Sequence, residues 1–289
     1  MARSRSFFYD SLSRLTSAVN PESATTSYTY DPNSNLHTRT DARLITTTLE
    51  YDALNRLIQK SYSDSTPVVS LCYDGRTSGR NYSGAVTVNC SGATALQPSA
   101  YAIAHLTWEG NANSSTGSTQ FDAAGHVLNQ TQTTGGTAYP FTYTYTAAGG
   151  IHTETYPSGR IVTTNYDTAG QPNQVTGATT YASNAHYASH GPLDSVTLGN
   201  GVNETWTFDG GIRDQVSRIQ ATGDGASLDL HYYYCASQGA SCATNNGNLQ
   251  SAALAASNGL NVRQDYTYDA LNRLCTAVES ATGTVAFAT

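Results

Sequence analysis

The chain has 289 residues, of which 14 are Lys or Arg and 21 are Asp or Glu, for a net charge of −7. With no basic run, this balance argues against nucleic acid as the main partner. No stretch approaches the length of an apolar membrane span, and the first residues hold no apolar signal core. Tyr outnumbers Phe by 20 to 6, and Met occurs once. A Tyr-rich sheet has a face that meets a lumen or solvent, because the ring is apolar and the hydroxyl is wet.

From residue 1 to about 75 one motif returns about every 21 residues, anchored at Tyr9-Asp10, Tyr30-Asp31, Tyr51-Asp52 and Tyr73-Asp74. Its fuller forms are Tyr28-Thr-Tyr30-Asp31-Pro-Asn-Ser-Asn35-Leu36 and Tyr51-Asp52-Ala-Leu-Asn55-Arg56-Leu57. Aromatics spaced by two lie on one face of a strand, with the intervening Thr on the other. The Asp carboxylate then accepts backbone N–H groups of a turn, Asn or Gly tolerates a positive φ, and Leu or Val opens a second strand. Each unit is therefore predicted to be a β-hairpin. Arg14 and Arg56 follow their Asp by four residues and are placed to close the turn by an Asp–Arg or Arg–carbonyl contact.

Between about 76 and 120 the period is lost in a Gly-, Ser- and Asn-rich stretch carrying Cys90, Tyr101 and Trp108, expected to be a long loop or two irregular hairpins. Cys72 precedes this stretch and Cys90 lies within it, and the two are predicted to form a disulfide that pins the insertion, contributing about 2–4 kcal/mol, the alternative being buried free thiols. From 121 to 234 the register recovers at Phe121-Asp122, Tyr145, Tyr166-Asp167, Tyr187 and Phe208-Asp209. His186, His190 and Asp194 are spaced by four. On a strand that is roughly 13 Å, too far for one ion, so His190 is read as part of a turn and no metal is assigned. Cys235 and Cys242 bracket a second insertion, 235–247, and are predicted to be a second disulfide, leaving Cys275 over. Disulfides imply an oxidising compartment. The segment Ser251–Ser257 has helix propensity but is too short to stand alone, so strand is expected. The series closes at Tyr266-Thr-Tyr268-Asp269-Ala-Leu-Asn272-Arg273-Leu274, where Arg273 matches Arg56.

A fixed period of this size predicts one stack of similar units over residues 1–289, an antiparallel all-β strip of tandem hairpins. A β-propeller with two units per blade also fits the period. Nucleophile-elbow, phosphate-loop, zinc-protease and dinucleotide motifs are all absent from the sequence, so no catalytic residue, cofactor or metal is assigned. Asp10, Asp31, Asp52, Asp74, Asp167, Asp209 and Asp269 share one turn position, which favours turn capping over a glycosidase carboxylate pair. Trp108 and Trp206 are candidates for stacking on sugar rings, the alternative being packing between hairpins.

The form Tyr-Asp-x-x-(Gly/Asn)-(Arg/Asn)-Leu at this period resembles the YD repeat of the Rhs family. That repeat is shared by bacterial Rhs polymorphic toxins, the shell component of insecticidal toxin complexes, and the teneurins. The resemblance covers nearly the whole chain. It implies hairpins joined side by side into a spiralling β-strip that forms a hollow shell around a C-terminal toxin, and hence a structural, exported protein. Its partners would be the rest of a larger Rhs-like chain or its toxin cargo. Where the family commonly has Gly this chain has Ser34 and Leu44, for which a positive φ is strained, more so for Leu, so these two turns are expected to be altered. The family's Asp-Pro-x-Gly-Leu core signature has no counterpart, and Asp31-Pro32 belongs to an ordinary repeat turn. The chain therefore reads as a piece of a larger exported protein or a truncated gene. The teneurin branch suggests the alternative of a carbohydrate-binding or adhesion module at a cell surface. Unpaired edge strands of a short strip would favour self-association.

Overall fold

The computed structural model describes residues 4–90, 101–209, 213–223, 225–235 and 245–281. Among them the regular structure is entirely β, in two compact units, Met1–Arg160 and Ile161–Thr289. The first unit contains β1 (Ser6–Tyr9), β2 (Leu15–Asn20), β3 (Ala24–Tyr30), β4 (Leu36–Thr40), β5 (Thr46–Tyr51), β6 (Leu57–Tyr62) and β7 (Val69–Tyr73). It continues with β8 (Ser78–Arg80), β9 (Thr87–Asn89), β10 (Leu106–Gly110), β11 (Ser114–Phe121), β12 (Val127–Thr134), β13 (Thr137–Tyr145) and β14 (Ile151–Thr155). Strands β1 to β7 each pair antiparallel with the next. β7 then pairs with β10, and the ladder runs on to β14. β8 and β9 form a separate two-stranded ribbon.

The second unit contains β15 (Ile161–Tyr166), β16 (Pro172–Thr176), β17 (Thr180–Tyr187), β18 (Leu193–Leu198) and β19 (Asn203–Phe208). After these come β20 (Val216–Gly223), β21 (Ala226–Tyr233), β22 (Ser251–Ala256), β23 (Asn261–Tyr268) and β24 (Leu274–Ala281), again paired in sequence order. In neither unit does the ladder break after four strands, as propeller blades would require. The fold is thus an open antiparallel strip, and the propeller alternative is set aside. Residues Ser251–Ala256 are strand, as the strip context requires.

The Tyr-Thr-Tyr pattern explains the local pairing. Thr29 faces Thr38 across the β3–β4 hairpin with Oγ1 atoms 2.6 Å apart, and Thr144–Thr153 and Thr267–Thr276 repeat the contact at 2.6 Å. Each such cross-strand hydroxyl pair adds roughly a few tenths of a kcal/mol, on the face opposite the rings.

The lost period near 76–120 has a simple origin. The Asp74 N–H bonds to the His105 carbonyl at 3.1 Å, the same closing bond that joins Asp52 to Arg56 at 2.9 Å. A repeat hairpin, β7–β10, has therefore received an insertion within its turn. The insertion carries β8–β9, which folds back over β6 and β7, and the Cys72–Cys90 disulfide ties it there. Ile58, Cys72, Val88, Cys90 and Trp108 close into a buried cluster beneath it. Gly79 is needed at this crossing, since a Cβ there would lie 3.1 Å from Val88 Cγ2. Gly117, opposite Trp108 in the ladder, leaves room for the indole, whose Cδ1 would be 3.2 Å from a Cβ.

The two turns expected to be altered are not. Ser34 and Leu44 take φ of 67° and 64° and keep the turn bonds to Asp31 and Asp41 at 3.0 and 2.9 Å. The closing bonds of the turn outweigh the left-handed penalty of about 1–2 kcal/mol. Leu44 is 80% exposed, so its side chain recovers little of that cost. Leu44→Gly should raise unfolding stability by about 0.5–1 kcal/mol, after subtracting the extra unfolded-chain entropy of Gly, as read from the urea midpoint at unchanged slope.

Candidate functional site

The feature shared by the repeats is the row of aromatic-Asp turns at one end of the strands in each unit. In the Asp52 turn, Oδ1 accepts the N–H groups of Leu54 and Arg56, each at 2.9 Å, and Oδ2 accepts Arg56 Nε at 2.8 Å. Asp10 makes the same three contacts to Leu12 and Arg14, and Asp269 makes them to Leu271 and Arg273. Asp31 is served by Asn35 and Asp122 by His126, through backbone N–H and side chain together. Asp167 takes the N–H groups of Ala169 and Gln171. Asp209 spans a turn two residues longer and bonds the Gln215 N–H. The backbone N–H of Arg14 is the main cause that holds the Asp10 carboxyl below its usual range, and the backbone N–H of Arg273 does the same for Asp269.

Asp74 departs from the expected turn position. Its turn holds the insertion, and its carboxylate instead accepts both Nη atoms of Arg56, at 3.0 and 2.9 Å, and the Ala104 N–H at 2.8 Å. The Arg56 guanidinium is the main cause of its lowered pKa.

A second set of contacts, which sequence reasoning missed, joins each hairpin to the next. Pairing between β2 and β3 stops at Ser17↔Ser27, and between β4 and β5 at Thr38↔Thr48. Beyond those points a tyrosine hydroxyl replaces the ladder. Tyr30 donates to the Leu15 carbonyl at 2.9 Å, Tyr51 to Leu36 at 3.0 Å, Tyr73 to Leu57 at 3.0 Å and Tyr145 to Val127 at 2.8 Å. In the second unit Tyr187 donates to Pro172, Tyr234 to Val216 and Tyr268 to Leu249. The acceptor is the first residue of the preceding hairpin's second strand, or a residue close before it. The excess of Tyr over Phe was the available signal.

The residue closing one turn also covers the next ring. The Arg14 guanidinium lies 4.7 Å from the Tyr30 centroid and that of Arg56 lies 4.4 Å from Tyr73. His105 and His126 stack on Phe121 and Tyr145 in the same way. Neighbouring turns bond directly as well: Arg14 Nη1 to Ser34 Oγ at 3.0 Å, Asn35 Nδ2 to Asn55 Oδ1 at 2.8 Å, and Asn248 Nδ2 to Asn272 Oδ1 at 3.0 Å. Ser34, Asn55 and Asn272 are the positive-φ residues of their turns, so each supplies an acceptor that Gly would lack.

The remaining sequence candidates do not converge on one place. Trp108, a candidate for sugar stacking or for packing, is only 8% exposed inside the cluster under β8–β9 and so serves packing. Trp206 is half-buried on β19 opposite Ile219. His186 Nδ1 contacts both Asp194 oxygens, at 2.7 and 2.9 Å, whereas His190 packs edge-on against Phe208. Among the described residues no group of three or more His, Cys, Asp or Glu could hold a metal. Cys242 lies outside the described residues, so the Cys235–Cys242 expectation does too. Cys275 is a free, exposed thiol.

Tyr51→Phe should cost about 1 kcal/mol in urea unfolding, because the Leu36 carbonyl loses its donor while the ring remains. Burial raises the phenol pKa of Tyr51, Tyr73, Tyr145 and Tyr234 above 10.0. Since the folded state then holds these protons longer, their contribution is complete below pH 10 and is lost as pH rises through the folded values. The lowered Asp10, Asp74 and Asp269 act in the opposite sense: their contribution is complete above pH 3.8 and is lost as pH falls below it. Thermal melting across pH should therefore show a plateau bounded by these two limits.

Residues 9–44 match the family model for the RHS repeat. In fold, the chain is similar to the crystal structures of TcdB2-TccC3-Cdc42 and TcdB2-TccC3, each with a TM-score of 0.73 and 17% identity over 94% of this chain. It is also similar to the Photorhabdus luminescens Tc holotoxin pore carrying TccC3-D651A, with a TM-score of 0.68 and 15% identity over 96% of this chain. The chain spans 14% of the length of the first two and 16% of the third. No curated protein matches it in sequence. The turn bonding at Asp10, within the matched residues, recurs at Asp52 and Asp269, so the chain carries an RHS-repeat match at residues 9–44 within a fold similar to those structures.

Proposed function

We propose that the chain is a non-catalytic wall segment of a longer exported RHS-repeat protein that confines or presents a toxin or other cargo. The observation that carries this is the stapling of hairpin to hairpin by Tyr hydroxyls, Arg and His stacking, and turn-to-turn bonds. A contact repeated in hairpin after hairpin serves the wall, and the repeated Asp carboxylates are engaged by turn donors. The fold likeness to chains of which this one covers 14% supports a segment role. In this reading residues 1–289 are a single repeat region interrupted near 76–120 and 235–247. The Cys72–Cys90 disulfide supports an extracellular or cell-surface location. Among the described residues β1 and β24 each pair on one side, so further strands would dock there.

The glycan-binding alternative retains only Trp206, since Trp108 is buried. An antibody against this chain tests the proposal on the secreted fraction of its source. A band far above 30.6 kDa, with a second segment that resists protease until the repeats are unfolded, is the expected result. A band at 30.6 kDa with no protected segment would overturn it.

A further inference from the structure

The insertion that covers β6 and β7 leaves a cavity of about 440 Å³ beside the Asp52 turn. Three arginines line it, Arg56, Arg76 and Arg80, together with two carboxylate residues, Asp52 and Asp74. Arg56 accounts for both carboxylates, binding Asp52 through Nε and Asp74 through its two Nη atoms. Their other contacts are backbone N–H groups. Arg76 and Arg80 form no ion pair among the described residues, although Arg76 lies within the field of Asp74.

In a chain of net charge −7, two cations without carboxylate partners at one cavity are a departure that the repeat does not require. Both come from the insertion, as does Ser78, which shares a face of β8 with Arg80 because they are two residues apart. Gly79 between them presses its backbone against Val88 and Ile58, which fixes the strand carrying both side chains. Ile58 and Leu71 lie beneath the cavity, 1% and 7% exposed, whereas Arg76, Ser78 and Arg80 are exposed. Guanidinium groups present paired donors that match the oxygens of a carboxylate, sulfate or phosphate. A volume of this size suits a small ligand.

We propose that this open cavity binds a small oxyanion ligand through Arg76, Arg80 and the Ser78 hydroxyl. These three donors belong to the insertion and not to the repeat, so the proposal is independent of the wall role.

The test is thermal melting and calorimetric titration of the oxidised chain with sodium sulfate, inorganic phosphate and sodium glucuronate, each against sodium chloride at equal ionic strength. Saturable binding of at least one probe is expected, weakened at least tenfold in R76Q/R80Q. The variant's melting temperature in chloride alone should match the parent, because neither Arg holds a carboxylate, and this separates loss of binding from loss of folding. Preference for glucuronate would assign a sugar acid, and preference for sulfate or phosphate would assign those groups. No probe acting beyond chloride, or equal affinity in parent and variant, would overturn the proposal.

Discussion

The structure depends on one constraint: a hairpin of this length cannot bury its own apolar face, so each must be fixed to its neighbour where backbone pairing ends. The tyrosine hydroxyl meets that need. It reaches a carbonyl of the preceding hairpin beyond the end of the ladder, while its ring lies beneath the Arg or His that closes the preceding turn. A hydrogen bond to a partly buried carbonyl is worth about 1 kcal/mol, and the cost of leaving that carbonyl bare is of similar size. Repetition gives the strip its stability through many modest contacts between neighbours, in place of one large core.

The Asp at each turn links the two sets of contacts. By holding the backbone N–H groups and the side chain of the residue four positions on, it sets where that side chain lies, and so where the next ring is covered. Asp52 and Arg56 show the coupling most fully, because Arg56 closes its own turn, covers Tyr73 and holds Asp74 at once. Asn35 and His126 stand where other units have Arg, and they keep the geometry with a different donor. Tolerance at this position follows from the shared requirement for a donor and not for a charge.

The insertion is the exception that produces a real core. The sheet elsewhere leaves most residues half-exposed, whereas β8–β9 lays a second layer over β6 and β7 and buries Ile58, Val88 and the disulfide completely. The disulfide adds a covalent tie to a layer otherwise held by the buried cluster, the Tyr82 N–H bond to the Tyr51 carbonyl at 3.0 Å and the Asn81 Nδ2 bond to Glu50 Oε2 at 2.9 Å. The same crossing borders the open cavity, so the place where the repeat is broken is also a place where Arg76 and Arg80 gather without carboxylate partners.

Sequence alone determined the hairpin, its period, the capping Asp and the all-β antiparallel class, because these follow from alternation and turn chemistry within about twenty residues. It also marked Cys72 and Cys90 as partners, one just before the lost period and one within it. Contacts between successive units were not legible: the Tyr30–Leu15 bond, and the use of Ser34 and Asn55 as acceptors, exist only once adjacent hairpins are in register. The loss of Gly at Ser34 looked like a defect and is a contact. For Trp108 the sequence left stacking on a sugar and packing both open, because nothing in it places β8–β9 above that residue. Tertiary structure decided these points because they depend on which hairpin lies beside which, and on where an inserted segment folds back.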